Sequence, residues 1–235
     1  MNAVITGATK GIGRAITEKF ASEGFNIAIC ARSKKDLELF SEELRNKFPD
    51  IDLIAQPCDV SDKRQLKTFA DLIKSTWNSI DVLVNNAGVF LPGQVHKEKA
   101  GVLEKQIRTN LYSAYYLTQF LVKIMIKNKH GHIFNICSTA SLQAYPNGGS
   151  YSISKFALLG FTKNLRVEMM PYQVKVTAVI PGATLTASWE GVELPEERFM
   201  KTSDIARSIW NAYSLSGQTV VEEILIRPIQ GDITS

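Results

Sequence analysis

Tyr151 and Lys155 stand four positions apart in the stretch Tyr151-Ser152-Ile153-Ser154-Lys155. On an α-helix that spacing points both groups to one face. A phenol is a useful proton donor near neutrality only when something lowers its pKa from about 10, and a nearby cation does this by favouring the phenolate. The pair has the composition of an acid with its electrostatic support. The same residues also describe an amphipathic surface turn with a solvated lysine, so their surroundings decide between the two.

Those surroundings are regular. Short apolar runs, Ala3 to Thr6, Asn26 to Cys30, Asp52 to Gln56, Asp81 to Asn85, His132 to Cys137, Lys175 to Ile180 and Val220 to Ile226, alternate with longer segments of helical period. The runs are rich in Val and Ile and lack clean alternation, as parallel strands covered on both faces require. The helical segments carry apolar stripes: Ile12, Ile16 and Phe20 before Gly24; Leu37, Phe40, Leu44 and Phe48 behind a Ser33 and Asp36 capping signal; Leu66, Phe69, Ile73 and Trp77 behind a Ser61 cap. Strand and helix alternating in this way predict an α/β fold, a single-domain doubly wound parallel sheet of about seven strands with helices on both faces and right-handed crossovers.

Composition agrees with one soluble domain spanning residues 1–235. The chain is 45% hydrophobic and 21% charged, and no linker-like stretch divides it. Its net charge of +4 comes from interspersed acids and bases, without the basic block that grips nucleic acid. Cys30, Cys58 and Cys137 are odd in number, widely spaced and set in apolar runs, which argues against a disulfide framework or a zinc site. Lacking a signal-like amino terminus and an apolar run of membrane-spanning length, the chain is expected in the cytoplasm.

In doubly wound sheets ligands bind beyond the carboxyl ends of the strands. The first strand ends in Thr6-Gly7-Ala8-Thr9-Lys10-Gly11-Ile12-Gly13, where glycines permit a tight turn and close approach of a diphosphate to a helix amino terminus. The strict G-x-G-x-x-G pattern is absent, since position 16 is Ile16. At the end of the second strand, where an acid would hold a ribose 2′-hydroxyl, stands Arg32. Arg32, with Lys10 in the loop above it, suits a 2′-phosphate, and NADP is expected over NAD; the alternative is a solvent-facing arginine. Asn85 and Asn86 precede Ala87-Gly88 at the fourth strand end, and their amides either brace the core or face a polar ligand. Asn110 falls within the stripe Leu103, Ile107, Ala114, Leu117 and Leu121, where packing would ask for Leu. It makes a structural hydrogen bond or holds an ordered water. The fifth strand ends at Cys137-Ser138. The sixth is followed by Pro181-Gly182-Ala183-Thr184 and an irregular segment, about 183–201, that reads as a substrate loop or as surface packing.

Taken together these features resemble the short-chain dehydrogenase/reductase family, from Thr6 to Arg227. The family's T-G-x-x-x-G-x-G matches Thr6 to Gly13, its N-N-A-G matches Asn85 to Gly88, its catalytic serine matches Ser138, and its Y-x-x-x-K matches Tyr151 to Lys155. Asn110 occupies the catalytic asparagine position, and Pro181-Gly182 the cofactor-contacting turn. The resemblance implies a Rossmann-type fold and an oxidoreductase passing a hydride between NADP(H) and a carbonyl or alcohol substrate: a small ketone, an aldehyde or a 3-oxoacyl group. It implies that Tyr151 gives or takes the proton, that Lys155 supports it and bonds the nicotinamide ribose, that Ser138 orients the carbonyl, and that Asn110 positions a water. Gly7, Thr9, Lys10, Gly11, Ile12 and Gly13 would hold the diphosphate side of the cofactor, Asp59 and Val60 its adenine, Asn86, Ala87 and Gly88 its ribose, and Pro181, Gly182 and Thr184 would also touch it. No metal is required.

The motifs are similar to those of 3-oxoacyl-(acyl-carrier-protein) reductases and of small carbonyl reductases of the sepiapterin reductase kind. Two departures stand out. The segment between Pro181 and the helix near Ser203 is shorter than is usual in the acyl-carrier reductases, which implies a more open pocket. The carboxyl end, Ile226-Arg227-Pro228-Ile229-Gln230-Gly231-Asp232, looks more like that of broad-specificity carbonyl or hydroxy-acid members. The family's use of its last strand at subunit interfaces implies a homodimer or homotetramer. A non-catalytic NADP-binding regulator of the same fold is the alternative. Retention of Asn110, Ser138, Tyr151 and Lys155 favours the enzyme.

Overall fold

The computed structural model describes residues 1–189, 191 and 193–233. Seven strands, β1 (Asn2–Thr6), β2 (Asn26–Ala31), β3 (Leu53–Pro57), β4 (Val82–Asn85), β5 (His132–Ile136), β6 (Lys175–Pro181) and β7 (Glu223–Ile226), form one parallel sheet in the order β3-β2-β1-β4-β5-β6-β7. The order reverses between β1 and β4, which opens a crevice at the carboxyl ends of the strands.

The pleat explains why the strand sequences do not alternate. Ala3, Ile27 and Val82 face a layer made by α1 (Gly11–Ser22), α2 (Lys34–Lys47) and α7 (Thr202–Tyr213), while Val4, Ala28 and Leu83 face α3 (Lys63–Thr76), α5 (Ser113–Asn128) and α6 (Gly149–Met169). Successive residues point to opposite faces, and both faces are buried. Phe20 on one layer and Phe69 on the other are fully buried. Each such side chain contributes about 1.5–3 kcal/mol relative to exposure. Cys30, Cys58 and Cys137 are free and buried.

Several local expectations are corrected. The second helix is capped as expected, Ser33 Oγ accepting from Asp36 N at 3.2 Å. The third is capped by Asp62, whose carboxylate accepts from Arg64 N at 2.8 Å. Ser61, one position too early, turns back to Asp59. The last strand shortens from Val220–Ile226 to Glu223–Ile226, because Val221 O is taken by the Thr177 hydroxyl. Asp81 lies outside β4, its carboxylate accepting from Asn2 N at 2.6 Å. The long stripe from Leu103 to Leu121 is not one helix: α4 (Val102–Ile107) passes into a π turn, Arg108–Tyr112, before α5. Leu103 is 40% exposed and leaves the buried stripe.

Candidate active site

The turn after β1 is shaped by glycines of two kinds. Gly7 and Gly11 have φ of +63° and +55°, conformations that L side chains rarely adopt. Gly13 is needed for space: a Cβ there would lie 2.3 Å from Gly7 O and 2.4 Å from Asn86 Nδ2. The close seat of α1 on the turn starts the helix directly after it, and its N-cap, Lys10, supplies no side-chain cap. Such an end takes an anionic diphosphate. Thr9 and Ile12 lie half-buried on the same turn, and Gly11 faces Thr186, whose Cγ2 would be 3.1 Å from an added Cβ.

The paired asparagines divide their work. Asn85 Nδ2 donates to Asn135 Oδ1 at 2.8 Å and Thr118 Oγ1 at 3.1 Å, bracing the sheet against α5. Asn86 Nδ2 donates to Thr6 O at 2.9 Å and Gly7 O at 3.1 Å, so its amide holds the glycine turn. Thr6 Oγ1 accepts from the backbone N of both Asn86 and Ala87 at 3.0 Å. The Asn86 Nδ2 group is thereby committed to protein, the bracing role being one of the two that its place at the strand end allowed.

At the far end of the crevice, Arg32 is exposed just past β2. Lys10, expected to join it, instead pairs with Asp36 on the first turn of α2 at 2.9 Å. Lys10 holds the Asp36 carboxyl below the usual carboxylate range. Asp59 accepts from Ser61 N at 2.9 Å and Ser61 Oγ at 2.8 Å, beside buried Val60.

The central group converges from three elements. Lys155 on α6 is 5% exposed and donates from Nζ to Ile136 O at 2.8 Å. Its Nζ lies 5.8 Å from the centre of the Tyr151 ring. Gly88 sits between Lys155 and Asn110: a Cβ there would lie 3.3 Å from Asn110 Oδ1 and 3.7 Å from Lys155 Nζ. Asn110, in the π turn, accepts from Val89 N at 2.7 Å and donates to Val89 O at 3.0 Å and Ser154 Oγ at 2.9 Å. Both ends of its amide are thus used by protein. Ser138 ends the β5 segment and caps the short 3-10 turn Thr139–Ser141, its Oγ accepting from Ala140 N at 3.1 Å. A hydroxyl that accepts in this way still carries a proton to donate.

One phenol and one thiol near the group are shifted by their surroundings. Partial burial raises the Tyr145 phenol above its ordinary range, with its neighbour Tyr151 adding to the effect, so Tyr145 stays neutral. Burial also pushes the Cys137 thiol up to about 11 against the opposing pull of Lys155, which leaves it protonated at neutral pH. The Phe90 ring meets the Tyr151 ring edge-on, centroids 4.8 Å apart.

Pro181 and Gly182 leave β6 beside β7, Gly182 N donating to Ile226 O at 2.8 Å. Thr184 Oγ1 donates to Gly182 O at 3.1 Å, and a bridge from Thr184 to Met200 closes the base of the segment 183–201. Within it Trp189 packs on Phe199 with ring centres 5.1 Å apart, and positions 190 and 192 lie outside the described residues. Arg198 ties the segment to the carboxyl end through Gly231 O and Asp232 O, both at 2.9 Å.

The structure therefore gathers Asn110, Ser138, Tyr151 and Lys155 around the ends of β4 and β5. The sequence assigned no individual role to the side chains of Thr6, Phe90, Glu98, Tyr145, Ser154 and Thr186. The serine within Tyr151-Ser152-Ile153-Ser154-Lys155 was legible as a position on the helix, but its partner Asn110 was not.

A family model described as short chain dehydrogenase matches residues 1–197. Sepiapterin reductase of Chlorobaculum tepidum is 35% identical over 238 residues, covering 98% of this chain and 97% of that protein. The 3-oxoacyl-(acyl-carrier-protein) reductase of Haemophilus influenzae is 32% identical over 217 residues, 88% of each chain. Among solved structures, a metagenomic short-chain oxidoreductase in complex with NADP superposes with a TM-score of 0.85 at 31% identity, covering 97% of this chain and 96% of that one. An alcohol dehydrogenase from Thermococcus sibiricus complexed with 5-hydroxy-NADP gives 0.90 at 26% identity, with coverage of 97% and 96%.

Proposed function

The chain belongs to the short-chain dehydrogenase family, and from that premise we propose that it is an NADP(H)-dependent oxidoreductase interconverting a carbonyl compound and its alcohol. The observation that carries this reading is the convergence of buried Lys155 and Asn110 on Gly88, with Tyr151 on the same helix face as Lys155 and Ser138 at the neighbouring strand end.

The cofactor site fits the dinucleotide in the features that matter. The uncapped α1 amino terminus and the Gly7 to Gly13 cradle take a diphosphate. Exposed Arg32, where an acid would favour a 2′-hydroxyl, suits a 2′-phosphate, with Lys10 reaching it on leaving Asp36. The structures of similar proteins solved with NADP or 5-hydroxy-NADP support the same choice. When bound, NADPH supplies the hydride.

The chain's own residues supply the rest. Tyr151 donates its phenolic proton to the carbonyl oxygen and takes it back in the reverse direction. Lys155 puts a positive charge beside the developing phenolate. Ser138 donates a hydrogen bond to the carbonyl oxygen. Asn110 and Ser154 hold the carbonyl-facing turn of α6 against the segment after β4. The substrate class is a small ketone, aldehyde or 3-oxoacyl group, with the segment 183–201 as its covering loop. The chain acts as a homodimer or homotetramer.

The test is NADPH consumption screened over ketones, aldehydes, quinones and 3-oxoacyl thioesters. Turnover with at least one carbonyl class is expected, faster with NADPH than with NADH. Absence of turnover with every class overturns the reading.

A further inference from the structure

The helix that carries Tyr151 and Lys155 has no cap of its own. Its N-cap is Gly148, which supplies no side-chain hydrogen bond. The cap comes from a residue 52 positions earlier: Glu98 Oε1 accepts from Ser150 N at 2.8 Å, and Glu98 Oε2 takes the Ser150 hydroxyl. Ser150 is 2% exposed and immediately precedes Tyr151.

The fit around this carboxylate is close. Gly149 has a φ of +39°, and a Cβ on it would lie 2.1 Å from Glu98 Oε1 and 2.5 Å from Gly93 O. A Cβ on Gly93 would lie 2.9 Å from Glu98 Cγ. The two segments are also tied at Asn147, which has a φ of +61°, by Gly93 N to Asn147 O at 2.9 Å and Gln94 Nε2 to Asn147 Oδ1 at 3.2 Å. The segment after β4 therefore meets Tyr151 directly through the Phe90 ring, and holds the preceding residue, Ser150, through Glu98.

We propose that Glu98 is a positioning residue: it caps α6 from the segment between β4 and α4 and so fixes Tyr151 against the wall of the substrate cleft. The inference rests on the reading of Tyr151 as proton donor. The glycines at 93 and 149 are the complement that lets the carboxylate reach the helix end.

The experiment compares Glu98→Ala, Glu98→Gln and Tyr151→Phe in the full chain, by hydrogen exchange of peptides covering residues 148–156, by NADPH binding, and by turnover of the fastest carbonyl found in the NADPH screen. Glu98→Ala is expected to speed exchange in the first turn of α6 and to lower kcat about ten- to a hundredfold while NADPH binding holds, since small displacements of a catalytic group cost this much. Glu98→Gln should restore both, because its amide oxygen still accepts from Ser150 N. Unchanged exchange in Glu98→Ala, a lowered Tm with unchanged kcat, or a Gln variant as impaired as the Ala variant overturns the inference. If Tyr151→Phe keeps full turnover, the role of Tyr151 itself falls, and accelerated exchange in Glu98→Ala then marks a helix cap with nothing to position.

Discussion

Asn110 Nδ2 lies 2.9 Å from Ser154 Oγ, and that hydroxyl donates in turn to Tyr151 O at 2.7 Å. A π turn after α4 and the first turns of α6 are thereby joined through one fully buried serine. The widened turn sets Asn110 inward, where its amide also secures both backbone groups of Val89.

Removing the bridge should cost both stability and rate. Ser154→Ala leaves Asn110 Nδ2 and Tyr151 O each one partner short beside a buried position, a loss of about 1–3 kcal/mol. Urea unfolding measures the first effect and NADPH turnover the second. A variant as stable and as fast as the parent would mean that the bridge positions nothing.

Tyr151→Phe keeps the ring that packs edge-on against Phe90 and removes only the acid. Turnover should fall about a hundred- to ten-thousandfold, the range for loss of a general acid, while NADPH fluorescence shows unchanged binding. Equal loss of binding would assign Tyr151 to the cofactor site in place of the chemistry.

Arg32 is exposed at the end of β2, where a charge reversal disturbs no core contact. Arg32→Asp should shift the ratio of kcat/KM for NADPH over NADH toward NADH by about ten- to a hundredfold, the worth of a charge-assisted hydrogen bond. An unmoved ratio would leave the 2′-phosphate to Lys10 alone.

His132, far from the site at the start of β5, sets an acid limit on folding. Burial, with Lys175 adding to it, lowers its pKa from 6.5 to about 3. Between those values the unfolded chain binds a proton that the folded chain does not, so stability falls as pH drops below 6.5. The slope approaches about 1.4 kcal/mol per pH unit within the window. Melting curves from pH 7 to pH 4 should show a smaller decline in His132→Gln than in the parent. Parallel declines would place the acid sensitivity in the carboxylates.

The doubly wound sheet was legible because its signal is local. Both-face burial makes each parallel strand an apolar run, and each run is bounded by turn residues within a few positions. The glycine turn, the arginine in place of an acid after β2, and the Tyr151 and Lys155 pair are likewise short-range patterns with a chemical meaning. What the chain order left open was settled by contacts between distant segments. Asn85 and Asn86 are adjacent in sequence, yet one amide points to Asn135 and the other to Gly7. Lys10 meets Asp36 only because α2 begins beside the glycine turn, and Glu98 caps α6 only because Gly93 and Gly149 let two loops interlock. Sequence by itself determined the alternation of seven strands with helices and the end of each strand to within one residue, since periodicity and turn chemistry act over a few residues. The tertiary structure decided which polar groups are consumed by one another and which face the cleft, because a buried hydrogen bond is chosen by three-dimensional proximity and carries no periodic trace.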